Sequence, residues 1–244
     1  MATLERHLRT LARRIRSTPF HPQWLLEGRA ELSKVLIECS EGVVLDIGCA
    51  DRWAQQYLPA GCAYVGVDSV ATGGLLYGAR PSLFADAHRL PLAASSVDHV
   101  LLFEVIEHLR NPEIALAEIA RVLRPGGRLL MTVPFLYPVH DAPHDYQRYT
   151  EHGLKRDLIA AGFQVTELRT GLGSAETAGL LTCLALAGGA IESVKARRLS
   201  MLLMPLLLAM IPVTNLSCWL LGKILPSWSA ITAGYSLVAI RNAK

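Results

Sequence analysis

The sequence predicts an α/β domain built on a mostly parallel sheet, and three observations support this prediction. Short apolar runs of strand length alternate with segments of helical periodicity through most of the chain. Two of the helical segments, PEIALAEIARVL and EHGLKRDLIAAG, are followed by helix-ending signals at Pro125 and Gly162. The chain has 244 residues, of which 51% are hydrophobic, which is enough for one full-sized domain with an appendage.

Six strands are predicted in this region, each a short apolar run bounded by turn residues or by a helical segment. In chain order they are Gly42 to Gly48, Ala63 to Asp68, Ser82 to Asp86, Val97 to Glu104, Arg128 to Pro134 and Phe163 to Arg169.

Polar and small residues at the ends of the first three strands predict a ligand site. An open parallel sheet binds its ligand beyond the carboxyl ends of the strands. The first strand ends in DIGCAD, residues 46–51, where small residues let a ligand approach the backbone and a following helix would offer free N–H groups. Asp68 ends the second strand, where its carboxylate can accept both hydroxyls of a ribose. Asp86, with Ala87 and His88 after it, ends the third strand in a position to meet the edge of a base.

Four stretches resemble the successive motifs of the class I S-adenosylmethionine (SAM) dependent methyltransferases, specifically the type 11 methyltransferase domain. They are VLDIGCA, YVGVD, ADAHRLPLAASSVDHVLLFEVIEHL and RVLRPGGRLLMTVP, and the match runs from about Val43 to Phe163. The resemblance implies a Rossmann-like seven-stranded sheet with six parallel strands and one antiparallel strand, for which the C-terminal TAGYSLVAIRN is the candidate. It also implies methyl transfer with SAM as cofactor.

The same resemblance implies which residues contact SAM. Ala50 and Arg52 depart from the family loop, which commonly has glycines at these positions. A nicotinamide cofactor is disfavoured, because no G-x-G-x-x-G follows the first strand. The implied contacts are Asp46, Gly48 and Ala50 for the methionine part, Asp68 for the ribose, Asp86 with Ala87 for the adenine, and Glu104 facing the cofactor.

The segment FEVIEHL after the fourth strand places Glu104, Glu107 and His108 where a helical turn would bring them to one face. The spacing is similar to the E-x-x-E-H set that binds a divalent metal in some methyltransferases of this fold, and His140 or His144 could complete such a shell. It is also found in relatives without a known metal, where these residues pack locally. We expect no metal, and keep this set as the alternative.

The loop PVHDAPHDYQRYT, residues 138–150, follows the fifth strand and is expected over the carboxyl edge of the sheet, where a methyl acceptor must lie. His144 is the first candidate for a base that accepts the proton of an acceptor hydroxyl, with His140 second and Asp145 orienting an imidazole. The expected substrate-binding residues are Tyr146, Arg148 and Tyr149. The alternative is that Asp145 and Arg148 only tie the loop to the next helix.

Two apolar runs follow the sixth strand, ETAGLLTCLALAGGAIE and LSMLLMPLLLAMIPVTNLSCWLLG, with a charged elbow from Glu192 to Arg198 between them. We expect a helical insertion before the last strand that lies on a membrane surface, because the last strand must return to the sheet and because Pro205, Pro212 and the cationic elbow disfavour spanning. The alternative is a covered apolar subdomain or an oligomer interface.

The N-terminus predicts a basic amphipathic helix, with Leu4, Leu8, Leu11 and Ile15 on one stripe, that either docks on the domain or contacts lipid. Four segments are therefore predicted: residues 1–40, this helical region; residues 41–172, the SAM-binding core; residues 173–228, the apolar hairpin; and residues 229–244, the final strand.

Composition limits the location and partners of the protein. Five scattered cysteines show no disulfide or zinc spacing, which favours a reducing cytosol, here at the inner face of the membrane. The net charge of +3 comes without a basic stripe lined by aromatic residues, so nucleic acid is not expected as a partner. We expect methyl transfer to a hydroxyl of a lipid-linked glycan or another amphiphilic acceptor. The alternatives are a soluble small-molecule methyltransferase whose apolar tail forms an oligomer interface, and a non-catalytic scaffold.

Overall fold

A computed structural model describes residues 14–26, 28–37, 39 and 41–243. The predicted N-terminal amphipathic helix, whose apolar stripe starts at Leu4, lies largely outside these residues. The chain forms two compact units. One contains residues 28–171 and 234–244 and is called the sheet unit; the other contains residues 1–27 and 172–233 and is called the helical unit. The four segments predicted from the sequence stay a prediction.

The sheet unit contains seven strands and three α-helices among the described residues. The strands are β1 (Gly42–Ile47), β2 (Cys62–Asp68), β3 (Leu83–Phe84), β4 (Val97–Phe103), β5 (Leu123–Pro134), β6 (Phe163–Thr170) and β7 (Gly234–Arg241). The α-helices are α1 (Gly28–Ile37), α2 (Pro112–Val122) and α3 (Glu151–Ala160), and three shorter helices span Trp53–Tyr57, Val70–Tyr77 and Ile106–His108.

The strand order is β3-β2-β1-β4-β5-β7-β6. The pairs among β1 to β5 are parallel, whereas β7 runs antiparallel to both of its neighbours, β5 and β6. This confirms the predicted fold class, with six strands in one direction and one in the other. Strand order reverses between β1 and β4, because the chain moves outward from β1 to β3 and then returns to the other side of β1.

Two strands differ in length from the prediction. β3 has only the two residues Leu83 and Phe84, which pair with Val67 and Asp68 at the end of β2. β5 begins at Leu123 and not at Arg128, because Leu123 pairs with Val97 before an irregularity in the ladder. The proline and two glycines that follow α2 therefore lie within the extended strand.

Helix α2 shows how the sheet is covered. Pro112 occupies the first turn, where a missing N–H costs nothing, and four apolar residues at helical spacing are fully buried: Ala115, Leu116, Ile119 and Val122. Burial of each larger side chain contributes about 1.5–3 kcal/mol. They pack in the same core as Val100, Leu102, Leu129 and Met131 from the two central strands.

The loop after β1 takes left-handed backbone conformations at three alternate positions. Gly48 has φ of 75°, Ala50 of 42° and Arg52 of 59°. The last two are the positions where the sequence departs from the glycines of the resembling family, so the chain keeps the glycine conformation with non-glycine residues. This costs roughly 1–2 kcal/mol at each of the two positions. The helix predicted after this loop is a short 3₁₀ segment, Trp53–Tyr57.

The helical unit is a helical hairpin with the N-terminal segment packed on it. Helices α4 (Ser174–Lys195) and α5 (Met204–Ile224) are joined by a short 3₁₀ segment, Leu199–Leu203. A Cβ atom on Gly179 would lie 2.6 Å from the Cβ of Cys218, so glycine allows the two helices to approach closely here. The buried Asn215 donates to the carbonyls of Pro19 and His21, at 2.7 Å and 2.9 Å, and so fixes the N-terminal segment.

We expect Gly48→Ala to destabilise the protein much more than Gly78→Ala. Both glycines have left-handed backbones, but a Cβ on Gly48 would lie 2.3 Å from a methyl of Val105, whereas nothing lies within 4 Å of one on Gly78. The free energy of unfolding, measured with denaturant, should fall by about 1–2 kcal/mol in Gly78→Ala and by roughly 1–3 kcal/mol more in Gly48→Ala. Adding Val105→Ala should recover part of the extra loss. Equal losses in the two single variants would contradict this account.

Candidate functional site

The site lies at the carboxyl ends of the strands, on both sides of the reversal between β1 and β4. Asp46 lies near the end of β1 and Asp68 ends β2, and Glu104 follows β4. The parallel register places Asp46 beside Gly66 on one side and Leu101 on the other. The structure therefore brings the predicted cofactor residues of β1 and β2 to one edge of the sheet, as expected for a ligand at the switch point.

Asp68 fixes the loop after β1. Its Oδ2 accepts from the backbone N–H of Ala50 at 2.9 Å, and its Oδ1 accepts from the backbone N–H of Ser69 at 2.8 Å. A Cβ on Gly73 would lie 2.1 Å from this carboxylate, so glycine is required beside it. Each oxygen keeps a second lone pair, and the carboxylate can also accept ribose hydroxyls.

Asp46 is held by Tyr64, a residue that the sequence analysis did not select. The Tyr64 hydroxyl donates to Oδ2 of Asp46 at 2.6 Å, and the guanidinium of Arg52 lies 5.1 Å from the centre of the Tyr64 ring. Burial raises the pKa of Asp46 to about 6, while the hydrogen bond from Tyr64 lowers it. Tyr64 is the second residue of the predicted strand Ala63 to Asp68, and only the paired register of β1 and β2 shows that it reaches Asp46.

A cavity of about 270 Å³ lies beside this loop, lined by residues 50–52 and 78–80. Two arginines, Arg52 and Arg80, give its wall positive charge, and Asp51 gives one negative charge. The cavity, the left-handed loop and the two buried carboxylates Asp46 and Asp68 fit a ligand with both an amino acid part and a ribose.

The predicted adenine residues lie at a turn after β3. Oδ1 of Asp86 accepts from the backbone N–H of His88 at 2.9 Å and contacts the Nδ1 atom of its ring at 2.6 Å. The backbone hydrogen bond lowers the pKa of Asp86. Asp86 is exposed and Ala87 is buried, so an exposed carboxylate lies next to a buried apolar residue at this turn.

On the other side of the reversal, Glu104 and Glu107 lie close enough to influence each other. Glu104 has a left-handed backbone with φ of 55°, and desolvation of its carboxyl group raises its pKa. Glu107 is fully buried, and burial, together with the charge of Glu104, raises its pKa to about 8. A carboxyl group with this pKa is mostly protonated at neutral pH, and only its ionised form can accept a proton.

Two histidines meet Glu107 from different parts of the chain. The Nε2 atoms of His108 and His140 lie 3.7 Å and 3.9 Å from Oε1 of Glu107. The two imidazole rings are in edge contact, with their centres 4.9 Å apart. We call these three residues, Glu107, His108 and His140, the acidic–histidine cluster. Of the set predicted as a metal alternative, the structure brings Glu107 and His108 together with His140, while Glu104 lies outside the cluster.

The loop that carries His140 is held by an ion pair. Arg148 contacts both carboxylate oxygens of Asp145, at 2.5 Å and 2.7 Å, and also donates to the carbonyl of Pro138. Asp145 accepts from the backbone N–H of His140 at 2.8 Å, and its Oδ2 lies 3.2 Å from the ring Nδ1 of that residue. Arg148 lowers the pKa of Asp145 to about 2, so this carboxylate stays charged.

The remaining predicted residues of this loop take different positions. His144 joins the site through its backbone carbonyl, which accepts from Nδ1 of His108 at 2.7 Å. Tyr146 is exposed, and its hydroxyl accepts from Arg110. Tyr149 is buried in the core. The assignments of His144 as base and of Tyr146, Arg148 and Tyr149 as substrate contacts stay predictions. The geometry gives His140 the more direct place beside another titratable group.

A seven-stranded sheet of this order, with a glycine-bearing loop after β1 and acidic residues at the ends of β1 and β2, defines the class I methyltransferase fold. Residues 45–131 match the family model described as a methyltransferase domain, which confirms the resemblance that the motifs predicted. SAM is the cofactor that this family implies, and the residues around Asp46, Asp68 and the cavity fit it.

Two curated relatives illustrate the similarity. A protein of Mycolicibacterium smegmatis, named as a probable S-adenosylmethionine-dependent methyltransferase, is 29% identical over 72% of this chain and 71% of its own length. A malonyl-[acyl-carrier protein] O-methyltransferase of Alcanivorax borkumensis is 36% identical over 43% of this chain and 39% of its own length. The chain thus spans about two fifths of the second relative, and only 28% of the length of another, an uncharacterised protein in a transposon of Streptomyces fradiae.

Among solved structures, that of the [4+2]-cyclase SpnF aligns with 88% of this chain over 81% of the SpnF chain, with a TM-score of 0.54 and 18% sequence identity. At this identity the likeness concerns the fold alone. Because that protein is described as a cyclase, the fold does not by itself specify methyl transfer, and the argument for function must come from the site.

Asp68→Asn should weaken SAM binding by at least about tenfold, because it removes a charged acceptor for the ribose and disturbs the contact with Ala50. Calorimetric titration of SAM into the purified protein measures this. Asp98→Asn is the matched control, since Asp98 also accepts from a backbone N–H, that of Val43 at 2.8 Å, but at the amino end of the sheet. Equal affinities of the Asp68→Asn variant and the wild type would exclude Asp68 as a cofactor contact.

Tyr64→Phe should shift the pH dependence of SAM binding to higher pH. The predicted contact of Asp46 with the methionine part of SAM requires an ionised carboxylate. The wild-type affinity should therefore fall as the pH drops through about 6, the pKa of this carboxyl group. Removing the Tyr64 hydroxyl removes a hydrogen bond that lowers this pKa, so the variant should lose affinity at a higher pH. Tyr57→Phe, at an exposed tyrosine of the nearby 3₁₀ segment, serves as control. Superimposable pH profiles of wild type and Tyr64→Phe would contradict the assignment of Asp46.

Proposed function

We propose that this protein transfers the methyl group of SAM to a hydroxyl of an amphiphilic acceptor, a lipid-linked glycan or a molecule of similar character, at the inner face of the cytoplasmic membrane. The methyl-transfer part rests on the family match and on the fit of the cofactor residues. The membrane part rests on one observation, the exposed apolar surface of the helical unit.

The chemistry requires alignment and a proton acceptor. Bound SAM supplies an electrophilic methyl on a sulfonium, and the acceptor oxygen displaces the sulfur in line. An alcohol must lose its proton as this bond forms. The acidic–histidine cluster can take that proton, on Nε2 of His140 or on the carboxylate of Glu107, and Asp145 balances the resulting positive charge on His140.

The apolar surface lies on helices long enough to enter a bilayer. The segments Ser174–Lys195 and Leu199–Ile224 are both long enough and apolar enough to span a membrane. Helices of this kind also occur in the cores of soluble proteins, where they are mostly buried. Of the most apolar 18-residue stretch of Leu199–Ile224, only 11% is buried. In α5 the buried positions Ile211 and Asn215 face inward, and Leu206, Val213 and Leu220, spaced by seven residues, are exposed. A contiguous exposed apolar face of this kind marks an interaction surface.

The charges of the helical unit favour a shallow position on the membrane. Lys195 ends α4, and Arg197 and Arg198 lie between α4 and the 3₁₀ segment, at the turn of the hairpin. Carrying them across a bilayer would be costly, but at the surface each contributes about 1 kcal/mol of attraction to anionic lipid. The hairpin is inserted between β6 and β7, whose connecting residues Gly171 and Gly234 are hydrogen-bonded at 2.8 Å at the carboxyl edge of the sheet.

The test combines vesicle binding with methyl transfer. Wild-type protein should float with phosphatidylglycerol-containing vesicles and should transfer labelled methyl from SAM to material in the organic phase of a membrane lipid extract. Leu206→Glu combined with Val213→Glu should reduce the vesicle-bound fraction by about tenfold or more, since each glutamate opposes insertion. Ile159→Glu is the matched control, because Ile159 is equally exposed, at 64% against 60% for Leu206, but lies on α3 of the sheet unit.

The alternatives give different results in the same experiment. A protein that stays in solution without detergent, has the mass of a defined oligomer, and methylates only water-soluble acceptors would be a soluble enzyme with an apolar interface. A folded protein without measurable SAM binding would be a scaffold. Either result would overturn the proposal.

A further inference from the structure

Three electron-pair donors of the acidic–histidine cluster converge on one point. Oε1 or Oε2 of Glu107 and one ring nitrogen from each of His108 and His140 lie within 4.8 Å of one another. The separations of 3.7 Å and 3.9 Å between the histidine Nε2 atoms and Oε1 are too long for hydrogen bonds. They are close to the separation of about 3.4 Å between two ligands of a tetrahedral metal ion.

The hydrogen bonds on the far side of each ring determine which nitrogen carries the proton. Nδ1 of His108 lies 2.7 Å from the carbonyl oxygen of His144, which can only accept, so Nδ1 is the donor. Nδ1 of His140 lies 3.2 Å from the carboxylate of Asp145 and 3.4 Å from the carbonyl of Pro138, which are also acceptors. In the neutral form of each ring, Nε2 therefore carries a lone pair that faces the cluster. A ring nitrogen held by a carboxylate or carbonyl is typical of metal-binding histidines.

The surroundings of Glu107 provide a second observation, independent of the donor distances, that points to a bound cation. Its side chain is fully buried, and among the described residues neither of its carboxylate oxygens has a hydrogen-bond partner of normal geometry. Ionising a buried carboxyl group that has no partner is unfavourable, and a bound cation would offset this. This carboxylate thus points at two lone pairs and no donor.

We propose that Glu107, His108 and His140 form a binding site for a divalent transition-metal ion such as zinc or manganese. Two imidazoles and one carboxylate suit these ions better than magnesium or calcium, which prefer oxygen ligands alone. Three protein ligands leave at least one coordination position open, as in catalytic and not structural metal sites.

The site has a role that rests on the proposed function. An acceptor hydroxyl at the open position would be oriented by the ion and would lose its proton more easily. With the ion bound, Nε2 of His140 and the carboxylate of Glu107 would be ligands, so the proton would leave to solvent. Asp145, through its contact with His140, would be a positioning residue. Metal binding itself needs neither SAM nor an acceptor, so it can be measured independently of methyl transfer.

The experiment is calorimetric titration of metal-free protein, prepared with a chelator and kept under reducing conditions, with zinc chloride, manganese chloride and magnesium chloride. One equivalent of zinc should bind with micromolar or tighter affinity, and magnesium should bind at least about a hundredfold more weakly. Glu107→Gln and His140→Ala should each weaken zinc binding by more than tenfold. Asp145→Asn should weaken it by about 10–100-fold, as expected for loss of a partner of a metal-binding histidine. His152→Ala, at a histidine on α3 outside the cluster, is the control and should bind as wild type.

Cobalt as the titrant identifies the ligands, because thiolates give sulfur-to-metal charge-transfer absorption and imidazole with carboxylate does not. Absence of zinc binding by folded wild type, unchanged affinity in Glu107→Gln, or a thiolate spectrum would each overturn the proposal. Thermal unfolding without metal verifies that each variant is folded. SAM titration of the same preparations separates the two proposals: SAM binding without metal binding overturns the metal site alone, and metal binding without SAM binding overturns the proposed methyl transfer alone.

Discussion

The ion pair between Asp145 and Arg148 is the interaction on which the acceptor side of the site depends. The segment from the end of β5 to the start of α3 has no regular secondary structure, so its backbone groups lack the partners that a helix or strand would provide. Arg148 compensates by contacting Asp145 and the carbonyls of Tyr137 and Pro138. Because the side chain of Asp145 is only 1% exposed, removal of Arg148 would leave a buried charge, which typically costs 3–5 kcal/mol.

The same ion pair explains how a loop can hold a chemical group in a defined position. Asp145 is the common partner of Arg148 and of His140, so the conformation of the loop and the orientation of the imidazole are fixed together. His108 is fixed from the same loop by the carbonyl of His144. The polar composition of residues 138–150 therefore serves two purposes, since the charged residues form the support and the histidines form the reactive surface.

Sequence patterns were informative where part of the site depends on residues that are close together in the chain. The strand-to-loop motifs placed Asp46, Gly48 and Asp68 at one edge of the sheet, because a parallel strand determines where its own carboxyl end lies. The sequence did not show that Tyr64 would reach Asp46 or that His140 would meet Glu107, since these contacts depend on the register of β1 and β2 and on the path of a long loop. His144 was chosen before His140 from the sequence, which shows that both residues are histidines but not in which direction each side chain points. The exposure of the apolar helices was also inaccessible from composition, which is the same for a buried and an exposed helix.

The position of β7 in the sheet links the order in which the two units are synthesised to the order in which the strands can pair. β7 is the last strand in the chain, but it lies between β5 and β6 in the sheet, so β6 cannot pair until residues 234–241 are available. During synthesis the helices α4 and α5 leave the ribosome first. The apolar hairpin is thus synthesised while the sheet still has an open edge at β5, and the sheet can be completed only after both helices have been made.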